Sequence, residues 1–69
     1  TFARMFPIRF ALVEDDPELR ELLYGYLCQQ PEFEGVLVAN SVEDFWRELP
    51  DVRQPPEIIL LDIHLTGMS

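Results

Sequence analysis

Two apolar stretches of this chain run directly into carboxylates: Phe10-Ala11-Leu12-Val13 into Glu14-Asp15-Asp16, and Ile58-Ile59-Leu60-Leu61 into Asp62. Read as buried parallel strands pointing the same way, they bring Glu14, Asp15 and Asp62 around one crevice at the carboxyl edge of a sheet. Open α/β sheets bind ligands there, at the point where strand order reverses. Three acidic groups crowded together repel one another, so the arrangement makes physical sense with a divalent cation or a phosphoryl group to complete it.

The residues between these stretches supply the rest of an alternating pattern. Residues 1–7 read as a lead-in segment without a clear period, and the first strand as residues 8–13. Asp16-Pro17-Glu18 then starts a helix: Asp16 as N-cap, Pro17 at N1 and Glu18 at the positive end of the macrodipole. Leu19, Leu22, Leu23, Tyr26 and Leu27 recur at spacings of three and four and predict one apolar face, which Pro31 terminates. Residues 33–39, with Val36-Leu37-Val38 at their centre, form a second strand. Ser41 and Asp44 resemble a capping sequence for a second helix, whose Val42, Phe45, Trp46 and Leu49 share a face before Pro50 stops it. A proline-bearing loop follows, and residues 58–61 are the third strand. The order β-α-β-α-β with short loops implies a parallel sheet with right-handed crossovers.

Composition narrows what such a sheet can do. Sixty-nine residues make at most one domain, and a chain this short buries only about 60% of the surface its unfolded form exposes. Thirteen acidic residues against five basic ones, all arginine, leave a net charge of -8. That balance argues against direct nucleic-acid contact or anionic-membrane binding by this segment, since both depend on Lys and Arg neutralising phosphates. Cys28 is the single cysteine, which rules out an internal disulfide or a cysteine zinc site. With no apolar run near the length of a membrane helix and no signal-peptide core, the expected location is the cytoplasm. Thr1 at the start and Gly67-Met68-Ser69 at the end read as the bounds of a piece of a longer chain.

A carboxylate can attack phosphorus and form an aspartyl-phosphate once its repulsion with the incoming anion is cancelled. Magnesium suits that task, because it binds through one or two carboxylates, waters and phosphate oxygens. Asp62 as nucleophile and ligand, Asp15 as a direct ligand and Glu14 holding a metal-bound water would make up a half-empty shell.

The run from Leu12 to Arg20 (Leu-Val-Glu-Asp-Asp-Pro-Glu-Leu-Arg) and the run from Ile59 to Met68 (Ile-Leu-Leu-Asp-Ile-His-Leu-Thr-Gly-Met) together resemble the first half of a response-regulator receiver domain of two-component signalling. The resemblance covers residues 8–69. It implies a flavodoxin-like α/β fold, truncated here before its fourth and fifth strands. It implies further that Glu14 and Asp15 bind Mg2+, that Asp62 accepts a phosphoryl group from a histidine kinase, and that the His64 backbone carbonyl completes the metal shell. On that reading the chain is an acceptor and not an enzyme. Two departures stand out: Thr66 occupies a position where the family usually has proline, and the family's phosphate-contacting hydroxyl residue and lysine fall beyond Ser69.

Bland roles compete for several of these residues. Asp16 is assigned to capping, Arg20 to a solvated helix position, and Trp46, Tyr24 and Tyr26 to core or half-buried positions. Two other functions stay open. Asp62-Ile63-His64-Leu65-Thr66 partly mimics the Asp-x-Asp-x-Thr motif of haloacid-dehalogenase-like phosphatases, with His64 where their general acid stands. A phosphate-independent interaction module is the other, because an open third-strand edge recruits partners or self-associates.

Overall fold

The computed structural model describes residues 6–61. Within them the order is β1 (Ile8–Val13), α1 (Pro17–Cys28), β2 (Phe33–Ala39), α2 (Val42–Glu48), a 3-10 turn (Leu49–Asp51) and β3 (Ile58–Leu61). The three strands form one parallel sheet in the order β2-β1-β3. The expected β-α-β-α-β architecture is present.

The centre of this sheet is β1, whose last four residues are all apolar. Phe10, Ala11, Leu12 and Val13 are all buried, since β1 pairs on both edges and is covered on both faces. Phe10 faces α1, where its ring lies 5.7 Å from that of Tyr24, and it meets Phe33 of β2 edge-on at 6.0 Å. Ala11 and Val13 face the other way and pack with Leu37, Ala39 and Phe45 of α2, with Val36, Leu49 and Val52 around them. The helices therefore sit on opposite faces, as right-handed crossovers demand when β2 and β3 lie on either side of β1.

A bulge in β2 makes these two faces compatible. Phe10 pairs with Gly35 and Ala11 with Leu37, leaving Val36 as the extra residue. Strict alternation from Phe33 and Gly35 would put Leu37 and Ala39 on the α1 side; the inserted residue turns them onto the α2 side. Val38 is returned to the α1 side, beside Tyr24 and Gly25. Nothing in the pattern Val36-Leu37-Val38 announced this slip.

The helix faces differ from the expected ones. On α1, Leu19, Leu23 and Leu27 are half-buried as predicted, but Leu22 and Tyr26 are 68% and 62% exposed. Tyr24 is half-buried as assigned, and Arg20, assigned to solvent, is half-buried too, so the inward face is rotated toward them. The physical reason is that α1 packs on β2 and β1, a support too narrow for the whole apolar stripe. On α2, Phe45 is buried and Leu49 half-buried, while Val42 and Trp46 are exposed; Trp46 stands edge-on to Phe45 at 5.3 Å. Ile58, Ile59 and Leu61 of β3 are also exposed, because among the described residues that strand is paired on one edge only. Its start is held by the Arg9 guanidinium, which donates to the Pro55 carbonyl at 2.9 Å, and by the Arg9 amide donating to the Glu57 carboxylate at 3.1 Å.

Tyr24 closes over β2 where a side chain is missing. A Cβ built on Gly35 would lie 2.5 Å from the Tyr24 hydroxyl and 2.6 Å from two ring carbons. Burial, reinforced by the Cys28 thiol, raises the Tyr24 phenol above the ordinary tyrosine value of 10.0. Gly25, by contrast, has nothing within 4 Å of an added Cβ. Gly35→Ala should therefore cost about 1–3 kcal/mol by forcing the ring aside, whereas Gly25→Ala should add about 0.4–1 kcal/mol by stiffening the unfolded chain. Urea denaturation of the two variants checks both, and equal midpoints would contradict the packing assigned to Tyr24.

Candidate functional site

At its carboxyl end, where the sequence predicts a crevice, β1 lies between the two strands that flank it. Val13 pairs with Ala39 on one side and with Leu61 on the other. The Glu14 amide continues the ladder by one bond, donating to the Ala39 carbonyl at 3.0 Å. Strand order reverses at β1, which makes this edge the topological switch point of the sheet.

Three consecutive acids leave the strand into three different environments. Glu14 is 0% exposed; its Oε2 accepts from the Asp16 amide at 2.9 Å, and its carbonyl accepts from Arg20 Nη1 at 3.0 Å. A buried carboxylate is retained only where it is hydrogen-bonded or matched by charge. Asp15 is exposed. Asp16 is exposed as well, but its carboxylate caps α1, accepting from the amides of Glu18 at 3.0 Å and Leu19 at 3.3 Å. The capping role assigned to Asp16 is what the structure shows.

Glu14 and Asp15 thus follow the end of β1 directly, one buried and the other exposed. Asp62 and His64 lie outside the described residues, as does Thr66. Among the described residues no three His, Cys, Asp or Glu side chains come together as a metal-binding group. The two carboxylates at this loop are hard oxygen groups of the kind magnesium takes.

Arg20 is the residue that sequence reasoning missed. Assigned to solvent, it is half-buried and reaches back from α1 to the end of β1. Its place on the same helical stripe as Leu23, Tyr24 and Leu27 was the available signal, because a basic residue on an inward stripe needs a buried acceptor.

Curated relatives share this stretch. The chain is 40% identical over 58 residues to a sensory transduction protein, LytT, of Enterococcus faecalis, covering 84% of this chain and 23% of that one. It is 42% identical over 62 residues to the transcriptional regulatory protein AruR of Pseudomonas aeruginosa, covering 86% and 25%. A protein-glutamate methylesterase/protein-glutamine glutaminase of Syntrophus aciditrophicus is 39% identical over 62 residues, covering 90% and 17%. The chain belongs to the receiver domains of two-component response regulators. No family model and no solved structure matches it. The receiver chain spans a quarter or less of the length of each of these relatives, and the methylesterase name describes that whole protein. Among the described residues of the receiver, no helix is long and apolar enough to cross a membrane.

The cap that starts α1 also bounds the Glu14-Asp15-Asp16 loop at its far end. Asp16→Ala should destabilise the protein by about 1 kcal/mol, while Asp16→Asn, which keeps an acceptor oxygen, should lie within a few tenths of the parent. Chemical denaturation followed by circular dichroism separates the two; an Ala variant as stable as the parent would deny the cap any part in stability.

Proposed function

We propose that this chain is the phosphoacceptor portion of a two-component switch, taking a phosphoryl group from a histidine kinase onto Asp62 at an Mg2+ site. The observation that carries the reading is the position of Glu14 and Asp15 at the switch point of a β2-β1-β3 parallel sheet, beside the strand whose last residue, Leu61, precedes Asp62. In the transfer an Asp62 carboxylate oxygen forms a bond to phosphorus, the phosphorus–nitrogen bond of the donor phosphohistidine breaks, and the imidazole leaves with that electron pair. Magnesium, when bound, supplies the positive charge that lets a carboxylate and an anionic phosphoryl group approach.

Asp15, exposed, is the direct ligand among the described residues. Glu14, whose Oε2 is already bonded to the Asp16 amide, is suited to hold a metal-bound water. Asp62 and the His64 main-chain carbonyl complete the ligand set. The relatives named for regulation and sensory transduction support an acceptor over a phosphatase that turns over substrate. A reducing cytoplasm, where Cys28 stays a thiol, fits the same reading.

In the intact protein, incubation with acetyl phosphate and MgCl2 should add one phosphoryl mass, and chelation of the metal should suppress it. Asp62→Asn should abolish the addition; a variant that still gains the full mass would transfer the nucleophile role elsewhere.

The outer edge of β3 supports a second, compatible partner. Among the described residues that edge is unpaired and Ile59 and Leu61 are each 49% exposed, and an open apolar edge pairs readily with another strand. The 69-residue chain by itself should sediment as a concentration-dependent oligomer. A sharp monomer peak from micromolar to high concentration would dismiss self-association.

A further inference from the structure

Arg20 supplies no ligand to the site, yet its side chain is one of the ties on the loop that carries the acidic pair. Glu14 is held through its amide, its side chain and its carbonyl. The amide is bonded to Ala39 of β2 at 3.0 Å, Oε2 to the Asp16 amide at 2.9 Å, and the carbonyl to Arg20 Nη1 at 3.0 Å. Only the last of these ties comes from a side chain on another element. The Arg20 amide also donates to the Asp16 carbonyl at 2.8 Å, so one residue bonds both ends of the segment from Glu14 to Asp16. Its side chain lines the walls of two surface grooves, one with Tyr24 and Val38, the other with Ala39, Asn40 and Asp44. It therefore lies along the end of β2 as well.

We infer that Arg20 is a positioning residue: it fixes the direction in which the Glu14-Asp15 loop leaves β1 and so sets the cation affinity of that acidic pair. The inference rests on the reading of Glu14 and Asp15 as a metal site and extends it to a residue on α1. Two physical effects oppose each other here. A guanidinium close to the pair repels an incoming cation, so removing it should tighten binding on charge grounds alone. The same guanidinium holds the ligand-bearing backbone, and loss of such an outer partner typically weakens metal binding about 10–100-fold. Geometry prevails in this arrangement, because the Arg20 bond goes to the Glu14 carbonyl, a buried point on the backbone whose displacement moves both carboxylates together.

The two effects give opposite signs, and this makes the positioning role testable apart from any phosphoryl chemistry. The intact protein is titrated with Mn2+, free metal being read by electron paramagnetic resonance, with Mg2+ as competitor. Arg20→Gln should bind about tenfold more weakly than the parent. Arg20→Lys keeps the charge but not the planar fork or its reach, and should also bind more weakly, by at least about threefold. Circular dichroism establishes that each variant is folded, and the lysine variant decides the matter should the glutamine variant fail to fold. Parent affinity in folded Arg20→Lys, or tighter binding in folded Arg20→Gln, would overturn the positioning role while leaving the metal site intact. A parent protein that binds no Mn2+, or whose binding is indifferent to Asp15→Asn, would instead overturn the metal site and this inference with it.

Discussion

β1 is the element on which the rest of the molecule depends. Among the described residues it is the one strand paired on both edges and covered on both faces, and every other element is placed by contact with it or with its neighbours. Its apolar residues from Phe10 to Val13 are buried at 0–5% exposure. The same strand delivers a carboxylate into the core at its end. At the fully buried Glu14 a backbone amide meets the side chain and a guanidinium meets the carbonyl; a buried carbonyl left without a donor costs about 1–3 kcal/mol.

The two faces of the sheet are kept distinct by a local irregularity. The extra residue Val36 lets β2 present Phe33 and Gly35 to α1 and then Leu37 and Ala39 to α2. The first half of β2 meets the aromatic pair Phe10 and Tyr24, and the second half meets Phe45. Gly35 is needed at the join, where the Tyr24 ring occupies the space that a side chain would take.

Exposed apolar residues cluster where the sheet is thinnest. Leu22 and Tyr26 on α1, Val42 and Trp46 on α2, and Ile58, Ile59 and Leu61 of β3 are left facing outward. Among the described residues the sheet has three strands, and it does not cover the full apolar stripe of either helix. The stretch that the relatives share with this chain is a quarter or less of their own length. On these elements the hydrophobic pattern reads correctly as periodicity but not as burial.

Much of the architecture is legible in the sequence, for local reasons. Strand positions follow from runs of apolar residues, and both helix starts follow from caps whose bonds are made within three residues, Asp16 to the Glu18 and Leu19 amides and Ser41 to the Asp44 amide. The acidic pair at the end of β1 is legible in the same way. What the sequence by itself determined is the alternation of elements and the placing of carboxylates at strand ends, because these depend on neighbours along the chain. The slip at Val36, the turning of α1 away from Leu22 and Tyr26, and the reach of Arg20 to the Glu14 carbonyl were decided by tertiary structure, with the place of Arg20 on the inward stripe as the one sequence signal for the last. Each depends on residues brought together from separate elements, and linear spacing carries no term for the distance between a helix and the sheet beneath it.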